Sequence, residues 1–430
     1  MKRAFKYRFY PTDEQAALLL RTFGCVRKVY NLALAERGRA WREEQRRLTY
    51  GDTSALLTMW KRTGEYAYLR EVSSVPLQQA LRHLQAAFNG FFAMRSKYPQ
   101  FKSKKKSRAS AEFTRSAFTH RNGELSLAKM AEPLNIVWSR PLPTEAEPST
   151  VTVSMDGAGR WFVSLLCEDA SAATPLPVTD AVIGIDMGLT SLVTLSRPVP
   201  GLTDEQGKVL NPRHADRDRG RLAKVQRRLA KKAEGSRNHA KASRRVAQVH
   251  ARIADRRRDF LHQLTTRIVR DNQAIVIEDL AIRNMVRNRS LARAISDASW
   301  AELRTLLEYK CQWYGRVLVV VDRWHPSSRI CSACGSAKAH IALSERTFRC
   351  DNPTCGLVLD RDVNAARNIL AAGLAVTVCG DGVRPQRNSP GGRRSTKQKP
   401  QPAMVGTPGP AGPGEGQTAN SWNAMVFSTG

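Results

Sequence analysis

The chain has 430 residues, with 69 Lys+Arg against 38 Asp+Glu for a formal net charge of +31. That length suggests two or three domains, and an apolar share of 42% excludes wholesale disorder. No aliphatic run, Val317 to Val321 included, approaches the roughly 20 residues needed to cross a bilayer, no apolar signal core follows Met1-Lys2-Arg3, and so basic a surface expects a polyanion as partner.

In chain order, Phe5, Tyr7 and Phe9 alternate with Lys6 and Arg8, the period of a half-buried strand. A helix follows: Thr12 is its N-cap, Gln15 completes a capping box, Asp13 and Glu14 occupy the first turn, and Leu19, Phe23, Val26, Tyr30 and Leu34 form one apolar stripe. A second helix is expected from Pro76, with Leu77, Leu81, Leu84, Phe88 and Phe92 facing a core. It leads into Tyr98-Pro99-Gln100-Phe101-Lys102 and the basic run Lys104-Lys105-Lys106. Strands are expected between Ala111 and Asp169, closing on a hairpin in which Val151, Val153 and Met155 pair with Trp161, Val163 and Leu165 across a turn at Asp156 to Gly159. A helical block thus interrupts a β-rich one.

Ala170 to Val178 has the composition of a linker. Beyond it, strands are expected at Val182–Asp186, Leu192–Leu195, Lys208–Leu210, Ala274–Ile277 and Val317–Asp322, with helices at Ser299–Gly315 and from about Val363. Arg213 to Arg258 holds 17 Lys/Arg and 4 acids, a net 17 − 4 = +13, with Val246, Val249, Ile253, Phe260, Leu264 and Ile268 at helical spacing. It reads as a strongly basic helical segment; a solvated face is the plain alternative and backbone phosphates the functional one. From Asp381 onward, Gly, Pro, Ser, Gln and Asn dominate with no apolar period, as in a disordered tail.

Cys331-Ser-Ala-Cys334 and Cys350-Asp-Asn-Pro-Thr-Cys355 are separated by 15 residues. Two such knuckles can set four thiolates tetrahedrally around one Zn²⁺, and Gly335 and Gly356 suit the turns whose amides approach sulfur. With no further ligand type tied to the cluster, the expected zinc is structural. Cys25, Cys167, Cys311 and Cys379 read as ordinary core or surface thiols.

Three carboxylates have a shared character: Asp186 and Glu278 end strands, and Asp362 in Asp360-Arg361-Asp362-Val363-Asn364 precedes a helix. Each has a plain explanation, as a turn cap, an arginine partner and a helix N-cap. Together, acids at adjacent strand ends and a facing helix N-terminus can converge, and divalent cations would then offset their repulsion and activate water against a phosphodiester.

The segments Gly184-Ile185-Asp186-Met187-Gly188, Ile277-Glu278-Asp279-Leu280, Ser327 to Gly335 and Asp360 to Ile369 resemble the transposon-encoded TnpB proteins, relatives of the compact type V CRISPR effectors. Val75 to Leu81, Tyr98 to Lys104 and Arg257 to His262 extend the resemblance, so that it covers about residues 1 to 380. The resemblance implies a mixed α/β chain with a wedge-type β-barrel (1–12 and 109–170), an inserted helical recognition lobe (13–108), a linker (171–179), a RuvC nuclease of RNase H-like fold (180–330 and 356–380, with the basic helical segment 213–270), a zinc ribbon (331–355) and the tail 381–430.

It further implies an RNA-guided endonuclease in a bacterial cytosol or nucleoid. The implied partners are a transposon-end guide RNA and double-stranded target DNA, and the implied cofactors are structural zinc and two catalytic magnesium ions. Asp186, Glu278 and Asp362 carry over as the metal-binding triad, with Asp360 as the open alternative for the third. Phosphate contacts are expected at Lys102, Lys104, Lys105, Arg227, Arg228, Arg244, Arg245 and Arg257. Rival readings are a strand-transfer transposase, which would use the same acids, and a non-cleaving RNA-guided DNA-binding protein.

Overall fold

Alternation of large apolar and basic residues makes β1 (Lys2–Phe9) a central strand, with Phe5, Tyr7 and Phe9 buried on one face. The computed structural model describes residues 2–378 except 106, 144–145, 169–174 and 343, with the backbone alone at 376–378. Part of the expected linker, Cys379 and the whole expected tail lie outside these residues.

Helix α1 (Asp13–Glu44) starts where expected: Thr12 Oγ1 accepts from Gln15 N and Gln15 Oε1 accepts from Thr12 N, both at 3.2 Å. A helix at Tyr50–Arg62 (α2), itself opened by a Thr49–Asp52 capping box, and a 3₁₀ turn at Gly64–Arg70 were not anticipated, because their buried apolar positions, Leu57, Trp60 and Leu69, are too few for a clear stripe. Helix α3 spans Ser74–Phe92 rather than starting at Pro76; the first four amides of a helix have no intrahelical acceptor, so proline fits inside the first turn. One face of α1 (Leu19, Phe23) packs on the sheet and another (Val29, Ala33, Leu34) on α3.

The chain then returns through β2 (Ala109–Thr114), the small hairpin β3 (Phe118–Arg121) and β4 (Glu124–Leu127), β5 (Ile136–Val137), β6 (Pro148–Met155) and β7 (Trp161–Glu168). The expected β6–β7 turn is capped by Asp156, whose Oδ1 accepts from Ala158 N and Arg160 N. The resulting antiparallel sheet has the order β2-β6-β7-β1-β5. Among the described residues no ladder joins its edges β2 and β5, so the expected barrel is not closed by backbone pairing.

The second half forms a mixed sheet from β8 (Val182–Met187), β9 (Ser191–Leu195) and β10 (Lys208–Leu210), then α4 (His214–Arg217), α5 (Arg219–Ala230), α6 (Arg237–Asp271), β11 (Ala274–Glu278), α7 (Ile282–Met285), α8 (Ala292–Ala298), α9 (Trp300–Tyr314) and β12 (Val317–Val321). Strand order is β10-β9-β8-β11-β12; the first three pair antiparallel, and β11 runs parallel to both β8 and β12. The basic segment is therefore the short α4 followed by two packed helices, α5 and α6, broken around Gly235, with Val249, Ile253, Leu261, Leu264 and Ile268 buried. The antiparallel pair β13 (Thr347–Arg349) and β14 (Val358–Asp360) precedes the last helix, α10 (Arg361–Val378).

The two faces of the mixed sheet divide by residue parity. Ile183, Ile185, Ile275 and Ile277 point into the main core with α6 and α9 residues such as Leu261, Leu264 and Leu307. The other parity, Gly184 and Val276, faces α10: a Cβ on Gly184 would lie 2.3 Å from Ala366 O, and one on Gly373 would lie 2.4 Å from Val276 Cγ1. Only glycine at both crossings lets the helix sit this close.

Candidate functional site

Parity carries the chemistry. Asp186 is two residues past Gly184 and Glu278 two past Val276, so both point to the α10 face. Ile185 and Ile277 are register partners on parallel strands, so the acids that follow them sit side by side at the carboxyl edge of the sheet. Asp362 lies one turn before Ala366, whose carbonyl nearly touches Gly184, so the close crossing also brings the first turn of α10 to that edge.

The electrostatics agree. Burial, then the charge of Asp362, then that of Glu278, pushes the Asp186 carboxyl up to about 7. Burial, followed by its neighbour Asp279, raises Glu278 as well. Asp186 keeps some solvent access at the sheet edge, so the acids are crowded yet reachable. The three do not close into a cage in which every donor atom lies within 4.8 Å of the others; among the described residues only the cysteines do that. Two carboxylates that face Asp186 and raise its proton affinity complete with it a donor set that suits a hard divalent cation.

The neighbouring acids are already engaged. Asp360, not Asp362, caps α10: its Oδ1 accepts from Asp362 N at 2.9 Å and Val363 N at 3.2 Å, and its Oδ2 pairs with Lys208 Nζ at 2.6 Å. This corrects the sequence-based start of the helix and its capping alternative for Asp362. Asp279 is held by Arg304 at 2.7 Å and by Arg323; burial works against its charge but the two guanidiniums outweigh it, and its carboxyl lies below the usual range. The Lys208–Asp360 pair has no local signal in sequence, because 152 residues separate its members.

The four knuckle sulfurs come together: Cys331 and Cys355 Sγ lie 3.7 Å apart, Cys334 and Cys350 Sγ 3.5 Å, and all four within 4.8 Å of one another. Tetrahedral thiolates at a zinc–sulfur distance of about 2.3 Å stand about 3.8 Å apart, so the cluster fits that ion. Gly335 (φ 75°) and Gly356 (φ 58°) adopt the left-handed turns their positions suggested. Asn364 of α10 accepts from Ser332 N and donates to Ile330 O, tying the first knuckle to the helix that bears Asp362. Cys25, Cys167 and Cys311 are buried thiols.

The expected phosphate contacts divide. Lys104, Arg227, Arg228, Arg244 and Arg245 are exposed, and Lys105 is exposed with Glu234 at 3.4 Å. Lys102 is instead partly buried, with its Nζ 3.9 Å from the centre of the Tyr30 ring and its backbone bonded to Asn31. Arg257 turns inward towards Asp297 at 3.6 Å. Arg160, Arg221 and Arg252, which local sequence did not single out, line with Arg245 and Arg256 a groove of about 530 Å³ between the β6–β7 turn and the α5–α6 pair.

A family profile described as "Probable transposase" (IS605 OrfB) matches residues 143–289, one described as "Cas12f1-like, TNB domain" matches 300–369, and one described as "Helix-turn-helix domain" (IS605 OrfB) matches 1–46, a stretch that in this chain holds one strand and one long helix. A Streptomyces pristinaespiralis protein named "Putative RNA-guided DNA endonuclease" is 66% identical over 95% of this chain and 98% of its own. An Escherichia coli K12 protein with the same name and the suffix InsQ is 33% identical over 91% of this chain and 98% of its own. Among solved structures, the chain is similar in fold to that titled "Cryo-EM structure of the Cas12f1-sgRNA-target DNA complex", with a TM-score of 0.52 at 13% identity over 86% of this chain and 98% of that one. No helix among the described residues is long and apolar enough to cross a membrane. The chain belongs to the IS605 OrfB family, the transposon-encoded TnpB proteins.

Proposed function

We propose that this protein is an RNA-guided DNA endonuclease of an insertion-sequence element, cutting double-stranded DNA beside a short motif in support of the element's maintenance and transposition. The observation that carries the mechanism is the crowding of Asp186, Glu278 and the first turn of α10 at one sheet edge, expressed in the Asp186 carboxyl raised to about 7. The names of the 66% and 33% identical relatives support RNA guidance and DNA as substrate.

In this reading residues 180–330 and 356–380 are a RuvC-like nuclease, residues 331–355 a zinc ribbon, and the N-terminal sheet and helices a wedge and recognition lobe. Asp186, Glu278 and Asp362 hold two magnesium ions, which when bound supply charge neutralisation and activation of the attacking water. The rigid spacing of β8 and β11 orients the first two carboxylates, and α10, locked against Gly184, sets the third. Cys331, Cys334, Cys350 and Cys355 hold zinc and order the segment that Asn364 ties to α10. The exposed Lys104, Arg227, Arg228, Arg244 and Arg245, with Arg221 and Arg252 of the groove, receive backbone phosphates of guide and target, while base pairing reads sequence.

The test is cleavage of a matched plasmid with and without a transposon-end RNA. Cutting is expected only with RNA and a divalent cation, and Asp186→Ala should retain RNA binding while losing cleavage. RNA-independent joining of DNA ends would favour the strand-transfer transposase, and RNA-dependent binding without nicking the non-cleaving binder; either result overturns the proposal.

A further inference from the structure

The loop after β12 stands beside the carboxylates and carries an aromatic residue that the core does not use. β12 is parallel to β11, and Val321 is the register partner of Glu278, so Asp322 to Pro326 leaves the same edge of the sheet as the acids. Asp279 N donates to Val321 O at 3.0 Å, and Arg323 pairs with the Asp279 carboxylate. Trp324 is three residues past Val321, which places its backbone within about 11 Å of Val321 and so within about 15 Å of Glu278 on the neighbouring strand.

The loop is held at both ends. Asp322 Oδ1 accepts from Trp324 N at 2.8 Å and Asp322 O from His325 N at 3.0 Å; further on, Asn368 of α10 donates to Ser327 O at 2.7 Å. Its far end thus reaches α10, on the side to which Asp186 and Glu278 point, while Arg323 turns to Asp279 and Arg304 of α9. From this fixed loop Trp324 is 84% exposed, one of the most exposed large apolar side chains among the described residues, and its chain neighbour Arg323 shares the Asp279 carboxylate with Arg304. An indole left in water beside a nuclease site has the chemistry that single strands use, a π-face on which a base can stack.

We propose that Trp324 stacks on a base of the DNA strand delivered to the carboxylates and so positions the phosphodiester to be cut. The inference rests on the nuclease reading above. It commits the occupant to a nucleobase of single-stranded DNA rather than to a protein surface.

Two measurements on the full-length protein test it. The first needs no cleavage: single-stranded DNA carrying 2-aminopurine is titrated with the Asp186→Asn protein, and stacking is expected to quench the fluorescence. Trp324→Ala in that background should abolish the quench and Trp324→Phe should keep most of it. The second uses guided cleavage of targets with an abasic nucleotide stepped through the positions around the cut. One position should slow the wild type about 10-fold or more, the range that a lost base stack supports. Trp324→Ala should be slowed as much on the intact target, gain no further sensitivity to the abasic position, and keep its melting temperature because the side chain is exposed.

Unchanged quenching, or an abasic penalty that persists in Trp324→Ala, overturns the proposal. So does unchanged quenching accompanied by a shift of Trp324→Ala from dimer to monomer in sedimentation, which would make the indole a contact between copies. A wild type that never cuts sinks the nuclease reading, while the fluorescence arm still decides the stacking.

Discussion

Asp186→Asn should make the metal-free protein more stable while destroying its activity. Burial and the charges of Asp362 and Glu278 raise the Asp186 carboxyl from 3.8 to about 7. At about 1.4 kcal/mol per pKa unit, a gap of about 3 units is a penalty of up to about 4 kcal/mol for the ionised side chain in the folded state. The direction follows from linkage: between about pH 4 and pH 7 the folded state binds more protons than the unfolded one, so stability falls as pH rises through that window. The penalty is fully present above pH 7, and at pH 5.5 it is about 2 kcal/mol smaller. Asparagine keeps the shape and removes the charge. In thermal melts with chelator, Asp186→Asn is expected to melt higher than wild type at pH 8, with a smaller gain at pH 5.5. Adding Mg²⁺ should raise the wild-type melting temperature more than that of the variant, because the cation binds the folded state through this carboxylate. A variant no more stable than wild type at pH 8, with an unchanged response to Mg²⁺, would refute the crowding argument.

Gly184→Ala would put a methyl group 2.3 Å from Ala366 O and 2.8 Å from Leu370 Cβ; the expected cost is at least about 1–3 kcal/mol with loss of cleavage, read by melting and plasmid assay. Cys334→Ser should remove the bound zinc, measured by elemental analysis against one ion per wild-type chain, and lower the melting temperature as a strong chelator does to the wild type. Replacing the exposed Arg244 and Arg245 together with alanine should weaken guide RNA binding and flatten the log–log salt dependence by about one to two units, if each meets one phosphate.

Residues with a local signature were legible in sequence, and those whose role depends on packing were not. The capping box of Thr12 and Gln15, the turn at Asp156 to Gly159, the strands ending in Asp186 and Glu278, and the paired knuckles all rest on neighbours within a few residues. Helix α2 escaped because only Leu57 and Trp60 of its apolar residues are buried, too few to mark a stripe. Asp360 stayed open as an alternative third ligand because it stands two residues before Asp362, and the cap was assigned to Asp362; that Asp360 caps instead became visible only with its bonds to Asp362 N and Val363 N and its pair with Lys208. Gly184 was read as part of a motif, but its role, admitting α10 to the sheet, depends on a helix 180 residues later. Arg257 and Lys102 show the converse error: a basic run does not reveal which of its cations turn inward.

The most direct test of the three-carboxylate site is a Mn²⁺ titration followed by electron paramagnetic resonance, comparing wild type with Asp362→Asn and Asp360→Asn at pH 8. Convergence of Asp186, Glu278 and Asp362 predicts that Asp362→Asn loses the tight manganese while Asp360→Asn, whose side chain caps α10 and pairs with Lys208, retains it. Wild-type binding by Asp362→Asn, or loss with Asp360→Asn alone, would contradict it.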